Sequence, residues 1–168
     1  PEVREEIKKW GVWVANELDL DGMRFDALKH IDENFIAEFL GHVRAARQKP
    51  FYAVGEYWKA DSNVPNGYLA NAEYKVDLFD VNLHYNFHEA SIHRTNYDFR
   101  RIRNNSLVLS HPEQAVTFVD NHDSQTGSKL QSQVETWFKP LAYGLILLIR
   151  YGYPCIFFGD YYGMMGQQ

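Results

Sequence analysis

A chain of 168 residues, 45% hydrophobic and 23% charged, is long enough for one globular domain with a core and too short for two comfortable ones. Seventeen basic against twenty-two acidic side chains leave a net charge of −5, which excludes nucleic acid as the expected partner. The single cysteine, Cys155, excludes an internal disulfide framework and a zinc ribbon, and its apolar setting predicts an inert buried thiol.

The chain opens at Pro1 without an initiator Met or the pattern of a secretory leader, and is expected to be a piece of something longer. Val3, Ile7, Trp10, Val14 and Leu18 form the stripe of an amphipathic helix. An extended run follows over residues 22–28, and Asp32 is the expected N-cap of a second helix carrying Phe35, Ile36, Phe39, Leu40 and Val43. Residues 51–58 suggest a strand. A loop holding Pro65 and Gly67 comes next, followed by a helical piece over 68–75 and a strand over 76–83. Residues 97–104 suggest a helix and 115–119 another strand. A long helix is expected over 134–149, with Pro140 marking a kink or a late start, and a last strand over 154–158. The apolar run over 141–149 falls well short of the roughly 18 residues of a membrane span, so none is expected. Arg94, Arg100, Arg101 and Arg103 are expected on a solvated face.

Five strands alternating with helices predict a parallel α/β sheet or barrel. Strand starts near 22, 51, 76, 115 and 154 repeat at the size of a βα unit, of which a closed barrel uses eight in about 250 residues. An open, doubly wound sheet would fit the same alternation, but no glycine-rich phosphate loop follows any strand.

Three of the expected strands end in acids. Alternation puts Arg24 and Asp26 on one face, where a guanidinium favours the ionised carboxylate that a nucleophile needs. Glu56 follows the apolar run 52–55, where partial desolvation suits a general acid. Residues 120–123 place Asp, Asn, His and Asp after the strand 115–119. One such acid alone is usually a helix cap or a loop residue. Acids at matching points of three βα units are expected to converge on the C-terminal mouth of a barrel, which suits glycoside hydrolysis or a divalent-metal site. His84 and His88 have the spacing of a helical metal pair but lack the order of a zinc-protease motif, so hydrogen-bonded histidines are the better expectation.

The strings DGMRFDALKH at residues 21–30, GEYW at 55–58 and FVDNHD at 118–123 resemble, in order and spacing, the second, third and fourth signature regions of the alpha-amylase family, glycoside hydrolase family 13. With LFDV at 78–81, WFKPLAY at 137–143 and GYP at 152–154, the whole chain looks like the bacterial liquefying type. The resemblance implies a partial TIM (β/α)8 barrel, about strands 4 to 8, with residues 1–168 forming its C-terminal part. The upstream barrel units and any C-terminal β domain would lie outside the chain.

The implied activity is hydrolysis of α-1,4-glucosidic bonds of starch, glycogen or maltodextrins with retention, the partner being an α-glucan. Asp26 would be the nucleophile, Glu56 the acid and base, and Asp123 the third acid. Arg24 would orient Asp26, while Lys29, His30 and His122 would contact sugar. Trp58 would be either a stacking platform or a core residue. The resemblance also implies a structural calcium ion, to which this chain would give the main-chain carbonyl of His30. Met23 and Phe25 depart from the family's usual aromatic before the Arg and aliphatic residue after it, and Gly55 stands where relatives often carry Ala. An α-glucosidase or transglycosylase of the same family would keep the three acids; a non-catalytic barrel would have lost some of them.

Overall fold

The computed structural model describes residues 2–61 and 63–163. They divide into two compact units, Pro1–Trp58 with Asn63–Leu78, and Lys59–Ser62 with Phe79–Gln168. In the first, α1 (Glu2–Glu17) precedes β1 (Gly22–Phe25), α2 (Glu33–Arg47), β2 (Tyr52–Gly55), α3 (Asn63–Asn71) and the start of β3 (Asp77–Phe79). Asp32 caps α2 as its sequence predicts, accepting the Phe35 N–H at 3.0 Å, and Ile36, Phe39, Leu40 and Val43 are buried.

The apolar stripe of α1 is not its buried face. Val3, Trp10 and Leu18 are exposed, and the buried positions are Lys8, Gly11 and Ala15, about a quarter-turn around the helix. Small size decides this contact: a Cβ on Gly11 would run into the Phe39 ring. Pro65 and Gly67 lie inside α3 rather than in a loop. Pro65 is the third residue of that helix, in the first turn, whose N–H groups have no helical acceptor to lose.

The second unit begins with the end of β3 and continues through α4 (Val81–His93), α5 (Leu107–Ser110), β4 (Ala115–Phe118), α6 (Lys139–Leu148), β5 (Tyr153–Cys155) and α7 (Phe158–Tyr162). The strand expected over 76–83 stops at Phe79, because buried Asp80 caps α4 through the Leu83 N–H at 3.0 Å. Its carboxylate also accepts the N–H groups of Leu107 at 2.9 Å and Val108 at 2.8 Å, so one side chain ties the starts of α4 and α5. The stretch 97–104 holds one 3-10 turn, Phe99–Arg101, rather than a continuous helix. Helix α6 begins at Lys139 with Pro140 in its first turn, the late start of the two expected possibilities. Cys155 is half-buried rather than buried. Arg94, Arg100, Arg101 and Arg103 are all exposed, and Arg100 pairs with Asp98 at 2.9 Å.

Strand order follows the chain, β1-β2-β3-β4-β5. The pairs β1 with β2, β2 with β3 and β4 with β5 are parallel. A doubly wound sheet reverses its strand order at a switch point, whereas a barrel adds each strand beside the last. The observed order is therefore that of a partial (β/α)8 barrel. No helix among the described residues is long and apolar enough to cross a membrane.

Candidate active site

In the first unit, Glu56 is held by the backbone of the turn that carries Asp26. Its N–H donates to Phe25 O at 2.8 Å, extending the β1–β2 ladder one residue past the last strand pair. Its own carbonyl accepts the Leu28 N–H at 2.8 Å, and its Oε2 accepts the Ala27 N–H at 3.2 Å. The chain can present both N–H groups because Ala27 is left-handed, with φ 49° and ψ 42°, a conformation that costs a non-glycine residue about 1 kcal/mol or more. Glu56 is 6% exposed. Gly55 is matched to this turn: a Cβ there would overlap Cδ1 of Leu28, which is completely buried, so the Ala of related sequences would displace Leu28.

Asp26 precedes Ala27 and projects outward, its side chain 76% exposed. Arg24 Nη2 lies 3.5 Å from Asp26 Oδ1, a loose pair open to solvent screening. Lys29 and His30 are exposed on the short 3-10 turn that follows. Trp58 is buried at 8% exposure, so its ring offers little open face, and the core alternative describes it better than a stacking platform.

His122 and Asp123 belong to the second unit, on a turn after β4. They touch through Nε2 and Oδ2 at 3.2 Å, and both are partly exposed. Asn121 sets the turn: its Oδ1 accepts the N–H groups of Asp123 and Ser124, each at 2.9 Å. Ser124 Oγ accepts the Asn121 N–H at 2.9 Å and donates to Asp120 Oδ1 at 2.8 Å. Asp120 is buried, accepts the Val134 N–H, and pairs with Lys139 Nζ at 2.9 Å. Burial pushes the Asp120 carboxyl up, opposed by its bonds to Lys139, Ser124 and Val134. For Lys139, burial lowers the ammonium pKa, but the hydrogen bonds it donates to Asp160 and Asp120 reverse this and leave it raised.

The histidines of α4 brace the same segment from below. His84 Nδ1 bonds Val119 O at 2.6 Å, its Nε2 meets Ser132 Oγ at 2.8 Å, and its ring stacks on Phe118 at 5.2 Å. Burial lowers its pKa to about 4, so at neutral pH Nδ1–H donates to the carbonyl and Nε2 accepts. His88 Nδ1 bonds Gln133 O at 2.8 Å. The paired spacing thus serves loop carbonyls. Among the described residues no group of three or more His, Cys, Asp or Glu side chains is arranged to hold an ion. Calcium takes about six to eight oxygens. The one His30 carbonyl the resemblance suggests does not make a calcium site from these residues.

Parallel strands added in chain order, with acids following β1, β2 and β4, are the arrangement of a (β/α)8-barrel domain. The chain belongs to the alpha-amylase family: the description "alpha amylase, catalytic domain" matches residues 1–168. It is 50% identical over 166 residues to an alpha-amylase of Bacillus licheniformis and 51% identical over 164 residues to a glucan 1,4-alpha-maltohexaosidase of Bacillus sp. strain 707. These alignments cover 99% and 98% of this chain but 32% of each relative, so the chain spans about a third of their length. Among solved structures, the alpha-amylase of Geobacillus thermoleovorans complexed with acarbose superimposes with a TM-score of 0.75 at 25% identity, covering 100% of this chain and 38% of that one. An Anoxybacillus alpha-amylase gives 0.74 at 23% identity with the same coverage, a likeness of fold.

Family motifs mark Asp26, Glu56, His122 and Asp123 in the sequence. Asn121 as turn-former, Asp120 as buried anchor and Lys139 as its counter-ion were not singled out. An Asn two residues before an acid is a readable turn signal. The Asp120–Lys139 pairing has no local signal, because it forms only when α6 packs against the end of β4.

Proposed function

We propose that this chain supplies about strands four to eight of a (β/α)8 barrel in a retaining hydrolase of α-1,4-glucosidic bonds, acting on starch, glycogen or maltodextrins. The remaining barrel units lie outside residues 1–168. Asp26 attacks the anomeric carbon while Glu56 gives its proton to the leaving oxygen, forming a β-glycosyl enzyme. Glu56 then takes a proton from water, which attacks the same carbon and releases the α-anomer. Asp123 stabilises the positive charge that develops on the ring, and His122 bonds hydroxyls of the sugar at the cleavage point. Arg24 orients Asp26, and Lys29 and His30 contact the sugar on the leaving side.

The observation that carries this reading is the Asp26–Leu28 turn. It presents Asp26 to solvent and fixes the main chain and one carboxylate oxygen of buried Glu56. One acid is thus open for attack and the other held in place to handle a proton. Identity of about half to two named amylolytic enzymes supports the substrate class. An α-glucosidase or transglycosylase would use the same acids, and the product profile separates it. The proposed enzyme also holds a structural calcium ion, with His30 giving only its carbonyl and the other ligands coming from outside these residues.

Proton NMR of fresh hydrolysis by the full-length enzyme tests the reaction. The α-anomer should appear first, and initial β-anomer would overturn the assignment of Asp26. Asp26→Asn and Glu56→Gln should each lower kcat more than about a thousandfold with binding largely kept. A variant within tenfold of wild type would remove that residue from the mechanism.

A further inference from the structure

We propose that Lys139 is a positioning residue for His122 and Asp123, acting through Asp120 and Ser124 without touching substrate. This rests on the reading of Asp123 as the third acid. The Lys139 side chain is 14% exposed and opens α6, with Nζ 2.9 Å from Asp120 Oδ2. Its second partner is Asp160, whose Oδ2 accepts the Tyr143 hydroxyl at 2.7 Å. The ammonium therefore sits between two carboxylates, one under the turn of residues 120–124 and one on α7.

The hydrogen bonds of that turn fix what Asp120 must be. Ser124 Oγ accepts the Asn121 N–H, and its one proton has Asp120 Oδ1 at 2.8 Å as the nearer acceptor, against Asn121 O at 3.3 Å. The Val134 N–H is also aimed at the carboxylate, at 3.2 Å from Oδ2 and 3.3 Å from Oδ1. Asp120 thus serves as an acceptor at both oxygens, a role that suits an ionised carboxylate in a buried site. His84 Nδ1 is 3.9 Å from Oδ1, but that ring is neutral at neutral pH. Lys139 supplies the charge. Without it, burial favours the protonated acid, whose proton competes with the donors that shape the turn, and Asn121, His122 and Asp123 lose their common anchor.

The experiment is a double-mutant cycle in the full-length enzyme on a defined maltooligosaccharide, with melting temperatures measured alongside. Lys139→Met and Ser124→Ala should each lower kcat roughly 10- to 100-fold with KM within about threefold, as expected for a misplaced reacting group. The double variant should be no worse than the weaker single one within about twofold, because both act through one turn. Lys139→Arg should recover most of the lost kcat. Asp160→Asn, which removes the other partner, should lower the melting temperature while keeping kcat within about threefold. Additive losses, or an equal kcat loss in Asp160→Asn, would overturn the proposal in favour of general destabilisation. If Lys139→Met fails to fold, Ser124→Ala decides: kcat within twofold of wild type refutes the relay. Asp123→Asn separates the two readings. An active Asp123→Asn enzyme sinks the assignment of the third acid. An inactive one beside fully active Lys139→Met and Ser124→Ala sinks only the role of Lys139.

Discussion

Lowering the pH from 7 to 4 should destabilise the protein through His84. The imidazole has an ordinary pKa of 6.5, and burial brings it to about 4 in the folded state. Between those values the unfolded chain takes up a proton that the native ring refuses, so stability present above pH 6.5 is lost as the pH falls towards 4. The gap corresponds to roughly 3 kcal/mol, a large share of a typical domain's stability. Burial outweighs the bond to Val119 O, which favours the charged ring, and the nearby His88 and Lys139 add to the lowering. Urea unfolding of the full-length enzyme at half-unit pH steps measures the slope. His84→Asn keeps a donor for Val119 O and removes the titration, so its stability should be lower at pH 7 yet flatter between 6.5 and 4. Equal slopes for the two proteins would refute the reasoning.

Asp80→Ala strips a buried acceptor from three N–H groups, and at about 1 to 2 kcal/mol each it should cost about 3 to 6 kcal/mol in urea unfolding; a loss below 1 kcal/mol would mean that water replaces the carboxylate. Calcium removal should lower the melting temperature of the full-length enzyme, since an ion bound only to the native state adds about 2.7 kcal/mol at a hundredfold excess over Kd. An unchanged melt in excess chelator, with no calcium by elemental analysis, would count against the ion. Residues 1–168 expressed alone should aggregate, because Trp10 and Trp13 on α1, Leu148 on α6 and Tyr161 and Tyr162 on α7 are all more than half exposed. A soluble monomer with one cooperative thermal transition would contradict this.

What was legible in the sequence depended on how local its cause was. Asp32 announces the start of α2 because a cap acts within three residues, Asp26 follows an alternating strand, and Glu56 follows an apolar run. Helix α4 was hidden because five apolar residues among 76–83 suggest a single strand across its start, and Asp80 acts on Leu107 and Val108, far along the chain. The face of α1 was misjudged because periodicity finds large apolar side chains, whereas its contact with α2 depends on the small Gly11 and Ala15. At the site, the motifs mark the residues that are read as meeting substrate. The string at 137–143 contains Lys139 but gives it no role, because its partners Asp120 and Asp160 come to it only through packing.

The bond from Ala27 N–H to Glu56 Oε2 makes the peptide between Asp26 and Ala27 a shared hinge for two acids. A substitution that shifts the backbone at Asp26 also turns the donor that holds Glu56, so its kinetic defect mixes the loss of one carboxylate with displacement of the other. Amide replacements, which leave that peptide where it is, are the informative deletions here, whereas alanine or glycine at residue 26 would overstate the contribution of a single side chain.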